Sequence, residues 1–311
     1  MVKVCEDWFP KGYSSYQKSN GFYMDEGLKS QIDLLIKNII NDWDFTIIIT
    51  GNGEVRVGKS VLAMQIAAYW AHEMKRVHNI NVKFDLDNFV LDGRKLIQKG
   101  NELGQNHPYS PLIFDEAGAD LEGRKAMQSV TQDVIDYFRE CGQYNMLNIL
   151  VIPEYFDLPK GIAMSRSIFL IDVNYQADEN GIFQRGFFYF YSRKKKKELY
   201  LKGKRDLNYK CVPYNFAGRF PNFYPIDEKG YRQLKQRALS SRESRKRNKF
   251  LNQRDAAWYL LTKEGLDCEC GNVVKLTQKE LSIRMEQMTG IYVPPTTLSD
   301  AVRHYNIENE P

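Results

Sequence analysis

The feature that most constrains this chain is a glycine-rich segment between an apolar run and an amphipathic run. The preceding residues, FTIIIT (45 to 50), are rich in β-branched side chains and predict a buried strand. The following residues, SVLAMQIAAYWAHEM (60 to 74), place apolar side chains at helical spacing. The segment between them, GEVRVGKS (53 to 60), matches the pattern G-x-x-x-x-G-K-[ST]. A strand, a glycine loop and a helix in this order predict an α/β fold.

This glycine loop is suited to binding phosphate. Glycines let successive backbone N–H groups turn toward phosphate oxygens, and the next helix directs its positive end to the same point. We expect Lys59 to neutralise the β- and γ-phosphates of a nucleoside triphosphate and Ser60 to hold Mg²⁺. The residues expected to bind the nucleotide are Gly53, Glu54, Val55, Arg56, Val57, Gly58, Lys59, Ser60 and Val61.

A second segment, SPLIFDEAGAD (110 to 120), predicts a short strand that ends in Asp115 and Glu116. One carboxylate at a strand tip can bind Mg²⁺, and the next can orient and deprotonate an attacking water. Alone, the segment would be more typical of an ordinary strand followed by an acidic turn. Beside a phosphate loop it completes a phosphoryl-transfer site, so we expect Ser60 and Asp115 to bind metal and Lys59 and Glu116 to be catalytic.

The order of the remaining elements predicts a mostly parallel sheet with helical crossovers. A strand within residues 81 to 90 is expected between the loop strand and the acidic strand in the chain. A helix at roughly 124 to 141, the apolar run 148 to 154 and a strand within 158 to 175 follow. Asn180-Gly181 is then a hairpin signal, which predicts added antiparallel strands. Residues 87 to 108 are expected to contain a loop.

These motifs resemble those of the additional-strand, catalytic-glutamate branch of P-loop ATPases, in which a further element separates the acidic strand from the phosphate-loop strand. The added antiparallel strands resemble those of HerA/FtsK-type DNA-pumping ATPases and zonular-occludens-toxin-like phage proteins. The resemblance covers roughly residues 40 to 200. Where that family usually has a glutamine as polar sensor, this sequence has Pro153-Glu154.

The resemblance implies an Mg²⁺-dependent ATPase, with ATP as the nucleotide, that acts as a homo-oligomeric ring of five or six subunits. In such rings a neighbouring subunit inserts an arginine that stabilises charge in the transition state. The candidates here are Arg124, Arg139 and Arg166. An arginine in such a position is more often a surface salt-bridge partner than a group that enters a neighbouring site.

Charge is distributed unevenly along the chain. The net charge is +5, but residues 184 to 311 carry 26 Lys and Arg against 14 Asp and Glu, a balance of +12. Such a bias is typical of a surface that meets the phosphates of DNA, although lysine runs also serve solubility. The basic residues expected to contact DNA are Lys194, Lys195, Lys196, Arg245, Lys246 and Arg247.

The C-terminal part predicts a separate unit. Residues 229 to 249 carry nine Lys or Arg against one acid and indicate a basic helix or linker with no apolar stripe. Residues 276 to 307 then resemble a helix-turn-helix of the winged-helix type, with a capping box at Thr277 and Glu280. A small helical bundle that mediates protein contacts is the alternative. The side chains expected to face DNA are Thr296, Thr297, Ser299, Arg303 and His304.

The expected organisation is therefore an ATPase domain (1 to 228, core 40 to 200), a basic linker (229 to 250) and a helix-turn-helix domain (251 to 311). No apolar run reaches the roughly 18 residues of a membrane span, and the N-terminus lacks a secretory layout, so we expect a cytoplasmic protein. A virus or a plasmid is the candidate source of its gene. The favoured function is a DNA-translocating or DNA-remodelling ATPase of a virus or mobile element. The alternatives are an ATP-dependent switch that binds an origin or promoter and, third, a phage assembly or export ATPase.

Overall fold

A computed structural model describes residues 2–3, 23–54, 56–115, 117, 129–259, 261–262, 266–267, 273–289, 292–300 and 302. The chain divides into two compact units, Met1–Lys235 and Gln236–Pro311. The division falls within one long helix, a few residues after the predicted start of the basic linker. None of the helices in the described ranges combines the length and the apolar character that a bilayer span needs.

The first unit contains a seven-stranded sheet. Its strands are β3 (Phe45–Thr50), β4 (Phe89–Val90), β5 (Pro111–Phe114), β6 (Leu147–Val151), β7 (Ser167–Ala177), β8 (Phe183–Tyr191) and β9 (Phe216–Arg219). They lie in the order β4-β5-β6-β3-β7-β8-β9, and a separate strand pair, β1 (Val2–Lys3) and β2 (Tyr23–Met24), precedes them. The five strands from β4 to β7 are parallel, whereas β8 and β9 add in antiparallel register. The mostly parallel α/β sheet with added antiparallel strands is therefore confirmed.

Helices cover both faces of this sheet. They are α1 (Glu26–Ile39), α2 (Lys59–His78), α3 (Gly93–Asn106), α4 (Ser129–Glu140), α5 (Arg193–Gly203) and the start of α6 (Glu228–Tyr259). All six residues of β3 are buried, and successive side chains point to opposite faces. Ile47 and Ile49 pack in a core with α1 and α2, and Ile48 packs in a second core with α3, α4 and α5. This two-sided burial explains the continuous apolar run in β3.

The strand expected within residues 81 to 90 is reduced to two residues at the sheet edge. Asp85 caps a short 3-10 turn, Leu86–Asn88, and the Asn88 side chain accepts from the Asp85 N–H, so turn chemistry replaces strand pairing. The strand that separates β3 from β5 is β6, from the apolar run 148 to 154. Most of residues 87 to 108, which were expected to contain a loop, form α3, and the loop between β4 and α3 is limited to two residues, Leu91 and Asp92.

The predicted hairpin at Asn180-Gly181 joins β7 to β8. The Asp178 carboxylate accepts from the N–H groups of Asn180 and Ile182 at 2.9 Å, and Gly181 has a φ of +76°. The lysine run that follows β8 is helical: it forms the first turn of α5.

The second unit contains the remainder of α6, a strand pair (β10, Leu266–Asp267; β11, Val273–Val274), α7 (Gln278–Thr289) and a helical segment at 295–300. The predicted capping box is present: the Thr277 N–H donates to Glu280 Oε2 at 2.8 Å, and the Glu280 N–H donates to Thr277 Oγ1 at 3.2 Å. A small core of Trp258, Leu281, Leu298 and Val302 holds the unit together.

Candidate active site

The glycine loop follows the carboxyl end of β3 and leads directly into α2. Gly53 and Gly58 have φ values of +74° and +106°, in the left-handed region that favours glycine. Position 51, which precedes the motif, has no room for a side chain, because a Cβ there would lie 2.9 Å from the Lys59 ammonium nitrogen. Lys59 donates to the backbone carbonyl of Glu54. The loop therefore closes around the Lys59 side chain.

The start of α2 provides the positive end of a helix next to this loop. Gly58 is the N-cap, and no side chain in the described ranges caps the helix there. Burial lowers the pKa of Lys59, Asp115 opposes this shift, and the charge of Lys235 adds to it. A partly desolvated ammonium beside uncapped helix amides is an arrangement that favours an anion.

Ser60 and Asp115 meet although they lie 55 positions apart in the chain. Ser60 Oγ donates to the two carboxylate oxygens of Asp115 at 3.0 and 3.1 Å, and Asp115 is buried. The contact follows from the topology, because the carboxyl ends of parallel strands lie at one edge of the sheet.

The donor set at this point fits Mg²⁺. A hydroxyl and a carboxylate oxygen are the hard ligands that Mg²⁺ prefers, and this ion retains several waters rather than requiring a full protein cage. Among the described residues, no group of three or more His, Cys, Asp or Glu forms a metal cage. Ser60 and Asp115 could therefore supply two ligands of an ion whose other ligands are phosphate oxygens and waters.

Two groups from the start of α6 also reach Asp115. Tyr231 Oη donates to Asp115 Oδ2 at 2.5 Å, and Lys235 Nζ lies 3.6 Å from the same oxygen. Sequence reasoning missed both residues, because it assigned residues 229 to 249 to a linker without an apolar stripe. Tyr231 is buried and Leu234 packs against the core, so the first turns of α6 belong to the first unit.

Glu154, at the place of the usual glutamine sensor, lies beside the loop. Its Oε1 accepts from Tyr209 Oη at 2.5 Å and from the Phe156 N–H at 3.2 Å. Its Oε2 is directed toward Gly53, where a Cβ would lie 3.9 Å from it, and the Gly53 N–H donates to the Pro153 carbonyl at 2.9 Å. Burial raises the pKa of Glu154. This carboxyl group is thus fixed on one side and faces the phosphate loop on the other.

Asp172 is a third acid at this edge of the sheet. It pairs in register with Thr50, the last residue of β3, and Asn174 Nδ2 donates to its Oδ2 at 2.9 Å. Its buried Oδ1 has no hydrogen-bond partner within the described part of the chain. Burial raises the pKa of Asp172 to about 7.

The arginines expected to act on a neighbouring subunit lie elsewhere. Arg166 precedes β7 and forms an ion pair with Asp44, which precedes β3; their side chains are 23% and 12% exposed. Both line a cavity of about 420 Å³ at the amino ends of these strands, together with Arg139. The six residues of β3 separate this edge from the phosphate loop by about 20 Å. Arg139 is exposed and pairs with Asp136 at 2.6 Å.

The expected DNA-contacting lysines differ in exposure. Lys194 is exposed, and Lys195 donates to the Tyr214 carbonyl at 2.8 Å. Lys196 is fully buried and its ammonium donates to the carbonyl of Ala163 at 2.6 Å, so its assignment to a DNA-contacting surface was wrong. The lysine run is helical, and its third lysine points inward.

In the second unit, Thr296, Thr297 and Ser299 are exposed, whereas Leu298 in the same helical segment is buried. In the loop, Glu54 and Arg56 are exposed, whereas Val57 and Val61 pack in the core, so these valines can offer only backbone groups to a nucleotide.

Some of the expected site residues lie outside the part of the chain that the structure describes. They are Val55, Glu116, Arg124, Arg303 and His304, together with the side chains of Arg245, Lys246 and Arg247.

No protein-family model and no curated protein matches this sequence. Among solved structures, the chain is similar to the genome packaging NTPase B204 from Sulfolobus turreted icosahedral virus 2, at 14% identity over 49% of this chain and 94% of that chain, with a TM-score of 0.33. It is also similar to the N-terminal domain of zonular occludens toxin from Neisseria meningitidis, at 11% identity over 61% and 97%, with a TM-score of 0.36.

A third similar structure is a KaiC-like protein from Pyrococcus horikoshii OT3, at 14% identity over 49% of this chain and 79% of that chain, with a TM-score of 0.27. Similarities with TM-scores this low carry no argument about activity. The interpretation of the site therefore rests on its own geometry.

Proposed function

We propose that this chain is an Mg²⁺-dependent ATPase. The observation that carries the proposal is the contact of Ser60 with Asp115 directly beneath a glycine loop that encloses Lys59. A hydroxyl and a carboxylate that meet beside an ammonium and a helix N-terminus form a site for a triphosphate and its metal.

The proposed reaction is hydrolysis of the γ-phosphate. A water attacks the γ-phosphorus, the bond to the β–γ bridging oxygen breaks, and ADP leaves with that bond's electrons. The attacking water passes its proton to Glu116, the acid that follows Asp115 in the chain. Lys59 and the loop amides hold the phosphates, and Mg²⁺ would neutralise charge on the β- and γ-oxygens.

We propose DNA as the macromolecular substrate, on which the ATPase acts as a motor or remodeller, as a ring of subunits. The bias of +12 in residues 184 to 311 and the exposed Lys194 support a surface for phosphate backbones. Arg139 is the best placed of the described finger candidates, since it is exposed and far from the phosphate loop of its own chain.

The second candidate is an ATP-dependent switch that binds a specific DNA site. The exposure of Thr296, Thr297 and Ser299 supports it, because short polar side chains on a helix can contact base edges.

One experiment separates the two functions. ATP turnover is measured with and without DNA, together with displacement of a bound roadblock and footprinting on random and selected sequences. DNA-stimulated turnover with roadblock displacement is expected for the motor. A sequence-specific footprint with slow turnover would favour the switch, and an absence of ATP turnover under all conditions would contradict the ATPase itself.

A further inference from the structure

Asp115 receives two groups that the phosphate-loop pattern does not include. Tyr231 Oη and Lys235 Nζ lie 2.5 Å and 3.6 Å from Asp115 Oδ2. Tyr231 and Lys235 are four positions apart on α6, so they project from one face of the helix. The start of α6 thus brings a phenol and an ammonium group to the carboxylate that also accepts from Ser60.

Packing fixes the position of this helix start. Tyr231 is 5% exposed, and its ring packs edge-on against Phe89 with centroids 5.6 Å apart. The Asp227 carboxylate accepts from two N–H groups of the first turn at 3.0 and 3.1 Å. Gly230 lies so close to Leu86 that an added Cβ would be 2.7 Å from its side chain. The core therefore fixes the helix from which Lys235 extends toward Asp115.

Asp115 attracts two ammonium groups. Lys235 Nζ lies 3.6 Å from Asp115 Oδ2, and the charge of Asp115 also acts on Lys59, while the two ammonium groups repel each other. Asp172 and Glu54 attract Lys59 as well. Two cations near one point attract a ligand with several negative charges more strongly than either cation does alone. The Lys235 side chain is 32% exposed and ends a flexible stem, so that its ammonium can shift from the carboxylate to a neighbouring phosphate.

We propose that Lys235 is a second cation of the phosphate site, supplied by the same chain, which contacts the γ-phosphate oxygens of bound ATP. Tyr231 is the positioning residue that anchors α6. The contact involves the γ-phosphate because Lys235 lies at Asp115, the acid on the metal side of the site, where the β- and γ-oxygens converge. Lys235 then stabilises the charge that spreads over the γ-phosphoryl oxygens during hydrolysis. This inference rests on the proposed ATPase function.

The test compares Lys235→Ala and Lys235→Arg with a matched control, Lys229→Ala, which removes an exposed lysine from the same helix. Affinities for ATPγS and for ADP are measured by calorimetry with Mg²⁺, and kcat is measured by phosphate release. We expect Lys235→Ala to weaken ATPγS binding roughly tenfold or more, to leave ADP binding unchanged and to lower kcat. Lys235→Arg should restore part of the ATPγS affinity and part of kcat, and Lys229→Ala should resemble the parent in all three quantities.

Equal affinity losses for ATPγS and ADP, or no loss for either, would overturn the inference, because a group that only neutralises Asp115 does not distinguish the two nucleotides. Should Lys235→Ala fail to fold, judged by thermal unfolding beside Lys229→Ala, Lys235→Gln decides, because it removes the charge but keeps a long polar side chain: an ATPγS-to-ADP affinity ratio identical to that of the parent, with unchanged kcat, counts against a direct phosphate contact. A parent chain that binds no ATPγS would contradict the proposed function instead.

Discussion

Single residues at the carboxyl edge of the sheet determine what this site can do. Ser60 and Asp115 offer oxygen ligands, and Lys59 offers a partly desolvated charge. Glu154 faces the loop from the other side and is oriented by Tyr209. Each group has a partner that fixes it, which is what a reaction that depends on positioning requires.

We predict that Tyr209→Phe lowers kcat about tenfold with little change in ATPγS affinity. The variant removes the shorter of the two hydrogen bonds to Glu154 Oε1 and leaves the bond from the Phe156 N–H, so the carboxyl group is held less firmly toward the loop. Steady-state ATP hydrolysis and calorimetry check this, with Tyr214→Phe as the control because Tyr214 is exposed. If kcat of Tyr209→Phe equals that of the parent, Glu154 does not act on the γ-phosphate side of the site.

We also predict that Arg166→Ala lowers the free energy of unfolding by about 3 kcal/mol, because Asp44 is left largely buried without its partner. Urea unfolding measures it, and Arg139→Ala, which breaks an exposed pair, should change stability by less than about 1 kcal/mol. The double variant Asp44→Ala with Arg166→Ala should lose less than the sum of the single variants. Additive losses would mean that the two side chains do not stabilise each other.

The sequence was sufficient to predict that Lys59, Ser60 and Asp115 lie close together, because the loop is a local motif and a carboxylate at a strand tip is a strong signal beside it. The sequence was not sufficient to predict that Tyr209, Tyr231 and Lys235 also reach this edge of the sheet. Their contacts depend on where a later helix or turn packs, and their surrounding sequence is dominated by basic or polar residues. A tyrosine and a leucine three positions apart at the start of α6 were the available signal.

At the scale of elements, β6 and α5 illustrate what patterns predict and what they miss. The apolar run of β6 predicted a strand, but its place between β3 and β5 is a property of the whole sheet. The lysine run of α5 was interpreted as a charged surface. The helix, however, directs the Lys196 side chain inward, where its ammonium donates to the Ala163 carbonyl.

The buried Lys196 gives a pH prediction. Burial lowers the pKa of Lys196 from 10.5 to about 7. Between these values the unfolded chain binds a proton that the folded chain does not, so the contribution of Lys196 to the free energy of unfolding rises with pH and is constant below pH 7. Urea unfolding across this range should give a smaller rise for Lys196→Met than for the parent. The exposed Lys194→Met is the control, and equal slopes for Lys196→Met and the parent would contradict the assignment.

At the scale of the whole molecule, the two main features are the uneven distribution of charge along the chain and the long helix α6. Residues 184 to 311 carry the basic excess, and α6 begins at Glu228 in the first unit and ends at Tyr259 in the second.

We predict that the full chain binds DNA with a steep dependence on salt. Replacing Arg245, Lys246 and Arg247 with alanine should reduce the slope of log affinity against log salt by roughly 2 to 3, since each phosphate contact contributes about 0.9. Filter binding between 50 and 200 mM salt, as an approximate working range, measures it. The control replaces two exposed lysines of the first unit, Lys37 and Lys75, and should leave the slope unchanged. An unchanged slope for the triple variant would remove this segment from the DNA surface.

The most direct test of the central claim is ATP hydrolysis by Lys59→Ala beside Lys75→Ala, a variant that removes an exposed lysine from the other end of α2. The account predicts that Lys59→Ala lowers turnover roughly 100-fold or more and weakens ATPγS binding, while Lys75→Ala matches the parent. Turnover by Lys59→Ala at the rate of the parent would contradict it.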